Sequence, residues 1–521
     1  MPGPLTPMAL PPSHLRCDFP AAVSGTVFVM QDAVMHQGHG ASAAGNAAPL
    51  LPLAVDLDGT LLATDTLHEG LVAALVRDPA SVPGLLRSLL QGRAHFKQQV
   101  SRAAPANAAI LPLRKPFVEW LEVQRAAGRR LHLVTAADQS VADAVAGHLE
   151  IFDSATGSDG TRNLKGPEKA AWLRARFPGG FAYAGDSHHD LDVFAAAEEI
   201  VLVNTSPAVA AAARRMTETE VLAEFPSENS PIRDWIGALR IHQWSKNALL
   251  FVPLVLGHKL GDPQAILSCV LGLVLMGMTA SGTYLLNDIA DLPSDRLHRT
   301  KRNRAIAAGR IAPLHALAGA IALILMGFVG GALLSGAFLL GLVGYVCLSL
   351  TYSAFLKRIA LLDTLTIGGL FTLRLALGVE LAGVPYSPWL MAFAGFFFFS
   401  CALAKRHGEL MEAKVAHGGG LARRGYEVDD WPLTLGFGAA SAMAALQIMI
   451  LYVANEAAPS RLYTHGAWLY VAPAALAVWL VRIWMLSHRR LLKDDPVVFA
   501  LRDRWSWAIG AVIAAAIVAA L

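Results

Sequence analysis

From residue 246 to residue 521 the chain is a succession of apolar segments separated by short polar breaks. Nine candidate spans can be marked, at roughly 247–258, 264–287, 313–331, 335–354, 362–383, 387–404, 433–454, 467–486 and 505–521. A bilayer core offers no partners to backbone N–H and C=O groups, so segments like these cross it as helices. The expectation is an all-α polytopic bundle of about nine transmembrane helices. The first and last segments are short for about 30 Å of hydrocarbon and are expected to tilt or to enter at the interface.

Composition agrees with this division. Hydrophobic residues make up 54% of the chain and charged residues only 16%. The net charge of +3 gives no basic domain, and nothing reads as a nucleic-acid-binding segment. Three of the four cysteines (Cys269, Cys347, Cys401) fall in apolar segments and Cys17 lies near the start, a pattern of buried thiols rather than bridges. Alternate loops of the bundle (288–312, 355–361, 405–432 and 487–504) hold six, two, five and five Lys or Arg. The intervening loops hold only Lys259 and Arg461. Basic loops stay in the cytoplasm, so a multi-pass protein of a bacterial inner membrane is expected, with its polar N-terminal part and its active sites on the cytoplasmic side.

The N-terminal part divides further. Residues 1–48 are rich in Pro, Ala, Gly and Ser without periodicity and read as a disordered tail. Residues 49–222 alternate short apolar strands with helical stretches. LPLAV (51–55), LHLVT (131–135), FAYAG (181–185) and IVLVN (200–204) each have the look of a buried parallel strand. The first three run into polar clusters, the layout of an α/β doubly wound sheet whose ligands bind at the strands' carboxyl ends. Residues of about 62–113 lack such strands and read as a small helical cap. Residues 223–245 form a linker approaching the membrane domain, 246–521.

Two constellations carry chemistry. In the α/β part, Asp56 and Asp58 flank one residue at a strand end, which suits phosphoryl transfer through an aspartyl-phosphate. Asp186 and Asp190 offer further metal-binding carboxylates, and a Lys can neutralise developing charge. In the membrane part, NDIADLPSDRLHRTKRNR (287–304) follows a long apolar segment. Asp288, Asp291 and Asp295 are spaced by three and four residues, which on a continuous helix puts them on one face. A basic cluster follows. Such a face suits Mg²⁺ bridging to phosphate oxygens, and acids at membrane depth are functional by default.

Both constellations resemble known families. DxDGT (56–60) with GDSxxD (185–190) resembles the haloacid dehalogenase superfamily over about 50–215. The resemblance implies Asp56 as nucleophile, Asp58 as general acid and base, Thr135 as phosphate ligand, Lys169 as the motif lysine with Lys165 as an alternative, and Asp56, Asp58, Asp186 and Asp190 around Mg²⁺. Asn287-Asp288-x-x-Asp291-x-x-x-Asp295 matches the NDxxDxxxD signature of the UbiA superfamily of intramembrane prenyltransferases, which bind Mg²⁺ and a diphosphate substrate. Most of its members carry a second Asp cluster. Here Asp363 stands without a partner four residues on, near Lys357.

Arg240-x-x-Gln243-Trp244-x-Lys246-Asn247, the run Asp295 to Ala308, and Lys405-Arg406 with Glu409 resemble the branch of decaprenyl-phosphate phosphoribosyltransferases. Arg299 and Ala305 stand where that pattern has proline. The branch implies phosphoribosyl pyrophosphate as donor, a polyprenyl phosphate as acceptor near Lys246, and Lys301, Arg302, Arg304, Lys357, Lys405 and Arg406 as candidate phosphate ligands beside Asn287 and Asp363. His407 and His417 read as solvated loop residues, and Gly418–Gly420 with Arg423 and Arg424 as a mobile loop or a passive linker. The alternative chemistry is prenyl transfer from an allylic diphosphate to an aromatic or other small acceptor. A non-enzymatic alternative makes the α/β domain a lipid-phosphate sensor.

Overall fold

The computed structural model of the chain describes residues 50–216, 220–227, 230–415, 424–459 and 463–521. The 1–48 tail, His417, Gly418–Gly420 and Arg423 lie outside the described residues.

The N-terminal part is built on a six-stranded parallel sheet: β1 (Leu53–Val55), β2 (Leu131–Asp138), β3 (Ser154–Ser158), β4 (Ala182–Gly185), β5 (Glu199–Val203) and β6 (Glu220–Phe225), in the order β3-β2-β1-β4-β5-β6. The four central strands are apolar because both faces are covered. Leu53 and Val55 join one core with Phe117, Leu121 and Leu133, while Ala54 joins the other with Phe181, Tyr183 and Phe194. The edge strands β3 and β6 lack the apolar run that marks the central strands. SATGS is polar, and Glu220–Phe225 alternates at a half-exposed edge. The sheet therefore runs to Phe225, past residue 222.

Between β1 and β2 lies a helical cap, with helix α1 (Thr66–Arg77) and helix α2 (Arg93–Ala103) packed around Phe96 and Val100. Asp65 caps α1 by accepting from the N–H groups of Leu67 and His68. Helix α3 (Pro167–Arg176) leads into β4.

The C-terminal part is a helical bundle. Its long helices are α4 (Pro263–Ala290), α6 (Pro313–Leu334), α7 (Gly336–Ala354), α8 (Leu362–Ala382), α9 (Pro388–Val415), α10 (Trp431–Tyr452) and α11 (Val471–His488), with short helix α5 (Leu292–Leu297) following α4. Among the described residues seven helices are long and apolar enough to cross a membrane, and eight if Pro496–Arg502 and Arg504–Ala520, meeting at 86°, form one broken span. The protein is thus a multi-pass membrane protein. The expected first span, 247–258, differs. It is a 3₁₀ stretch (Ile241–Phe251) followed by the five-residue helix Val252–Leu256. Pro253 lacks an N–H and can sit only at the start of that helix, which divides the segment.

Helix α9 also continues well past residue 404. His407, expected in a solvated loop, is fully buried on it and meets Thr434 Oγ1 and a ring nitrogen of His488, each at 3.1 Å. Cys269 and Cys401 are buried thiols, whereas Cys347 is exposed on the protein surface.

The two parts share a core. Val72 of α1 is buried together with Leu285, Ile289, Leu292 and Ile306 of the bundle. Glu69, one turn earlier on α1, accepts two hydrogen bonds from Arg296 of α5, at 2.6 and 3.1 Å.

Candidate functional sites

The first site lies at the carboxyl ends of β1, β2 and β4. Asp56 follows β1, Asp186 and Asp190 follow β4, and one carboxylate oxygen from each lies within 4.8 Å of the others. Lys169 reaches in from α3. Its Nζ donates to Asp56 Oδ1 at 2.7 Å and to the Tyr183 hydroxyl at 3.0 Å. Lys165 makes no such contact and instead lines a neighbouring cavity. Tyr183 donates to Asp190 Oδ1 at 2.6 Å, while Asp190 Oδ2 accepts from the Ser187 hydroxyl at 2.8 Å. Gly59 sits at φ +79°, and a Cβ there would meet the Asp186 carboxylate at 2.2 Å, so only glycine lets the loop close over that acid. Thr135 is buried, its Oγ1 accepting from the Ala137 N–H at 3.0 Å.

Asp58 stands apart from the three clustered acids. Its two oxygens accept from the Thr66 N–H at 2.8 Å and the Thr66 hydroxyl at 3.2 Å, at the start of the cap. Burial, and then Asp65, push its carboxyl up to about 7. Burial also pushes Asp186 up to about 8, reinforced by Asp56 and Asp190. Burial works against the Lys169 ammonium, but Asp56 and Asp190 outweigh it and hold the group above the usual lysine range. Three close, largely buried acids against one lysine keep a proton on Asp186 at neutral pH. An all-oxygen donor set of this kind suits a hard cation such as Mg²⁺.

Sequence reasoning missed Tyr183, Lys97 and Arg114. Lys97, on α2, donates to the Ala136 carbonyl at 2.6 Å and to Asn163 Oδ1 at 3.2 Å, fastening the cap over the strand ends. Arg114 Nε donates to the Gly59 carbonyl at 3.0 Å. A tyrosine inside a strand, a lone lysine on a helix and a lone arginine just before one carry no local signal of such roles.

The second site lies at the end of α4. The three motif acids do not share one face of a continuous helix. Helix α4 ends at Ala290 with Asp291 as its C-cap, and Pro293 lies in the first turn of α5. Proline cannot continue the hydrogen-bond ladder, so the chain breaks at the middle acid. Asp288 and Asp295 remain neighbours because Arg304 bonds both, at 2.9 and 2.6 Å. Arg240 adds a contact to Asp288 at 2.5 Å, and Lys301 lies 3.8 Å from Asp295. Asp291 turns to Lys357, 3.2 Å away. The adjacent Asn287 Oδ1 is buried without a hydrogen-bond partner among the described residues. Oxygen donors, one of them an orphaned acceptor, fit a hard cation here too. Arg302 is exposed on the turn beyond.

The remaining candidates separate. Asp363 is fully buried, accepting from Arg406 at 2.6 and 3.0 Å and from the Tyr426 hydroxyl at 2.6 Å, with Arg424 3.6 Å away. Arg406 also pairs with Glu409. Asp363 and Arg406 are therefore saturated by each other and their neighbours. Lys405 is half-buried. Lys246 lies 3.9 Å from Asp495 and over the Phe371 ring.

A cavity of about 380 Å³ separates the two sites. Asp58, Lys97 and Lys165 give it a polar end. Phe96 and Val100 of the cap and Leu292 of α5 give it apolar walls. The Glu69–Arg296 pair lies along it, and Arg296 directly follows Asp295.

Comparison with known proteins agrees with the bundle's architecture. A protein of Sinorhizobium fredii, y4nM, is 46% identical over 90% of this chain and 91% of its own length. The nodulation protein NoeC of Azorhizobium caulinodans is 30% identical over 52% of this chain and 88% of its own. A decaprenyl-phosphate phosphoribosyltransferase of Mycobacterium tuberculosis is 28% identical over 54% of this chain and 94% of its own. Residues 249–518, which contain the broken acidic motif and the helices around it, match the UbiA prenyltransferase family. The chain belongs to that family.

Proposed function

We propose that the bundle is a Mg²⁺-dependent transferase that moves 5-phosphoribose from phosphoribosyl pyrophosphate to a polyprenyl phosphate, and that the α/β domain is a haloacid-dehalogenase-type phosphatase acting on the 5-phosphate of that product. The observation that carries the transferase assignment is the interleaving at α4 and α5. Three acids for a metal alternate with Arg240, Lys301, Arg304 and Lys357, four cations for phosphate oxygens. A donor with a diphosphate and a distant third phosphate uses both sets, and exposed Arg302 extends the basic side. The kinship with decaprenyl-phosphate phosphoribosyltransferases supports the same donor. Prenyl transfer from an allylic diphosphate is disfavoured because Asp363, the residue a second metal would need, is consumed by Arg406 and Tyr426.

Asp288, Asp291 and Asp295 would hold Mg²⁺, which supplies positive charge to the leaving diphosphate. The bases bind phosphate oxygens, Arg in bidentate fashion. The acceptor phosphate is already an anion, so no general base is needed, and positioning with charge neutralisation can supply most of the rate.

In the phosphatase, Asp56 attacks phosphorus to give an aspartyl-phosphate, and Asp58, protonated near neutrality, gives its proton to the leaving oxygen. Asp58 then accepts a proton from the water that releases phosphate. Lys169 neutralises Asp56 and the transferring group. Asp56, Asp186 and Asp190 would hold Mg²⁺ there. Consecutive action is supported by the cavity that reaches from Asp58 to α5, and by the Glu69–Arg296 clamp. The distribution of Lys and Arg supports the cytoplasmic face of a bacterial inner membrane for both sites. The test supplies purified protein in lipid with Mg²⁺, polyprenyl phosphate and either phosphoribosyl pyrophosphate or an allylic diphosphate. A ribosylated lipid is expected with the first donor. Turnover of the allylic donor alone would sink the assignment.

A further inference from the structure

Arg374 lies in the middle of the 21-residue helix α8 and is only 4% exposed. A cation at such depth is costly and is normally paired. Among the described residues it has no carboxylate partner. Its Nε donates to Asn247 Oδ1 at 3.0 Å, one terminal nitrogen donates to the Leu370 carbonyl at 2.7 Å, and the other is 3.4 Å from the Tyr345 hydroxyl. The guanidinium lies over the Tyr345 and Phe371 rings, at 5.0 and 5.7 Å. All of these partners are neutral.

Asn247 is 1% exposed, and its Nδ2 donor has no hydrogen-bond partner among the described residues. Lys246, its chain neighbour, holds its Nζ 5.7 Å from the centroid of the same Phe371 ring. A buried guanidinium without a counter-charge, an orphaned amide donor and a lysine thus converge on one place. The guanidinium and the amide share a deficit, an anion with several oxygens, which is the chemistry of a phosphate group, and Lys246, itself 3.9 Å from Asp495, stands beside them.

We propose that Arg374, Asn247 and Lys246 form an anion site inside the bundle that takes the phosphate head of the polyprenyl phosphate acceptor. The identity of the acceptor rests on the transferase assignment above; the anion site does not. Its relation to the acidic motif fits transfer. Arg240 joins the two places, bonding Asp288 at 2.5 Å while its guanidinium lies 5.0 Å over the Tyr284 ring. Tyr284 packs with Tyr345 in one core, one turn or about 6 Å deeper along α4 than Asp288. A leaving diphosphate at Asp288 and an acceptor phosphate below it leave the ribose between them. An oxygen of the lipid phosphate bonds to C1 of the ribose, the bond from C1 to the diphosphate oxygen breaks, and its electron pair leaves with the diphosphate. No proton moves. Apolar Phe371, Leu375 and Phe398 around the site suit a head group that brings its own prenyl chain.

The test measures binding to the full-length protein in nanodiscs, using geranylgeranyl monophosphate, geranylgeraniol and Mg²⁺ with phosphoribosyl pyrophosphate as probes. The variants are Arg374→Gln, Arg374→Lys and Asn247→Asp. The last keeps the shape, gives Arg374 a counter-charge and so preserves the fold while repelling an anion. Arg374→Gln and Asn247→Asp are expected to weaken the monophosphate by at least about tenfold. Arg374→Lys should recover part of the loss, and geranylgeraniol and the sugar donor should bind as to wild type. Unchanged monophosphate affinity in folded Asn247→Asp overturns the anion site. Loss confined to the sugar donor assigns the site to the donor's distal phosphate and overturns the lipid assignment. Arg374-dependent monophosphate binding in a protein that never binds the sugar donor removes the donor assignment and leaves the anion site standing.

Discussion

The two sites hold the same kinds of residue in opposite arrangements. In the α/β domain three carboxylates converge within 4.8 Å around a single lysine, and burial pushes Asp186 up to about 8. In the bundle three carboxylates are dispersed, each already paired with an Arg or Lys. The first arrangement crowds acids together, and under the proposed function a cation would have to bind before a phosphomonoester could approach. The second is close to neutral; under the proposed function it would give a metal–polyphosphate complex partners of both signs, so that binding would exchange ion pairs rather than create them. Convergence suits a nucleophile that must attack one phosphorus. Dispersal suits a leaving group spread over two phosphates.

The comparison is broken most severely by removing one acid from each site. Asp56→Asn removes the proposed attacking oxygen and should abolish phosphate release from any monoester while leaving transfer intact. Asp288→Asn or Asp291→Asn should cut transfer by on the order of 10²–10³-fold, as for removal of one preorganised charge partner, and leave aryl phosphate hydrolysis unchanged. Near wild-type transfer by either folded variant would show that the dispersed acids hold no metal.

A smaller effect sharpens the electrostatic contrast. With its carboxyl raised to about 7, Asp58 carries its proton below that pH and loses it above. Hydrolysis of an alkyl phosphate, whose leaving oxygen needs the proton, should fall as pH rises through about 7. p-Nitrophenyl phosphate, with a good leaving group, should show a shallower limb, and Asp58→Asn should remove the limb altogether. A pH profile identical for both substrates would take the proton-donor role from Asp58.

The clamp between the sites gives the next effect. Glu69→Ala strands the half-buried Arg296, a change worth roughly 3–5 kcal/mol when one member of a buried pair is lost. Lower thermal stability with slower processing of the ribosylated intermediate is expected, and the intermediate's build-up is measurable by mass spectrometry. Smallest are the single bases. Arg304→Ala removes contacts to two acids and should weaken sugar-donor binding by roughly 1.5–3 kcal/mol per charged hydrogen bond lost. Exposed Arg302→Ala should do less. Equal losses in calorimetric titration would show that the turn rearranges around the donor.

What was legible in the sequence follows from how local its physics is. Strand hydrophobicity, the acid pairs at strand ends and the long apolar helices are written in consecutive residues, so the sheet's centre, the placement of Asp56 and Asp186 at strand ends and the long helices between residues 263 and 488 are readable. The break at Asp291 turned on the strength of one proline two residues later against the three-four spacing of the acids. The burial of His407 depended on α9 running on beyond the apolar segment, a matter of packing against α10 and α11. Asp363 read as a ligand until its partners, 43 and 63 residues away, stood beside it. Arg374 was the one clear signal passed over, since an arginine in the middle of an apolar helix is visible without any structure.

The most direct measurement of whether the two sites act in sequence is the mass of lipids formed by wild type and by Asp56→Asn from polyprenyl phosphate and phosphoribosyl pyrophosphate. The expected result is a ribosylated lipid from wild type and, from Asp56→Asn, the same lipid heavier by one phosphate. Identical product masses from the two proteins would contradict it, even with both sites active.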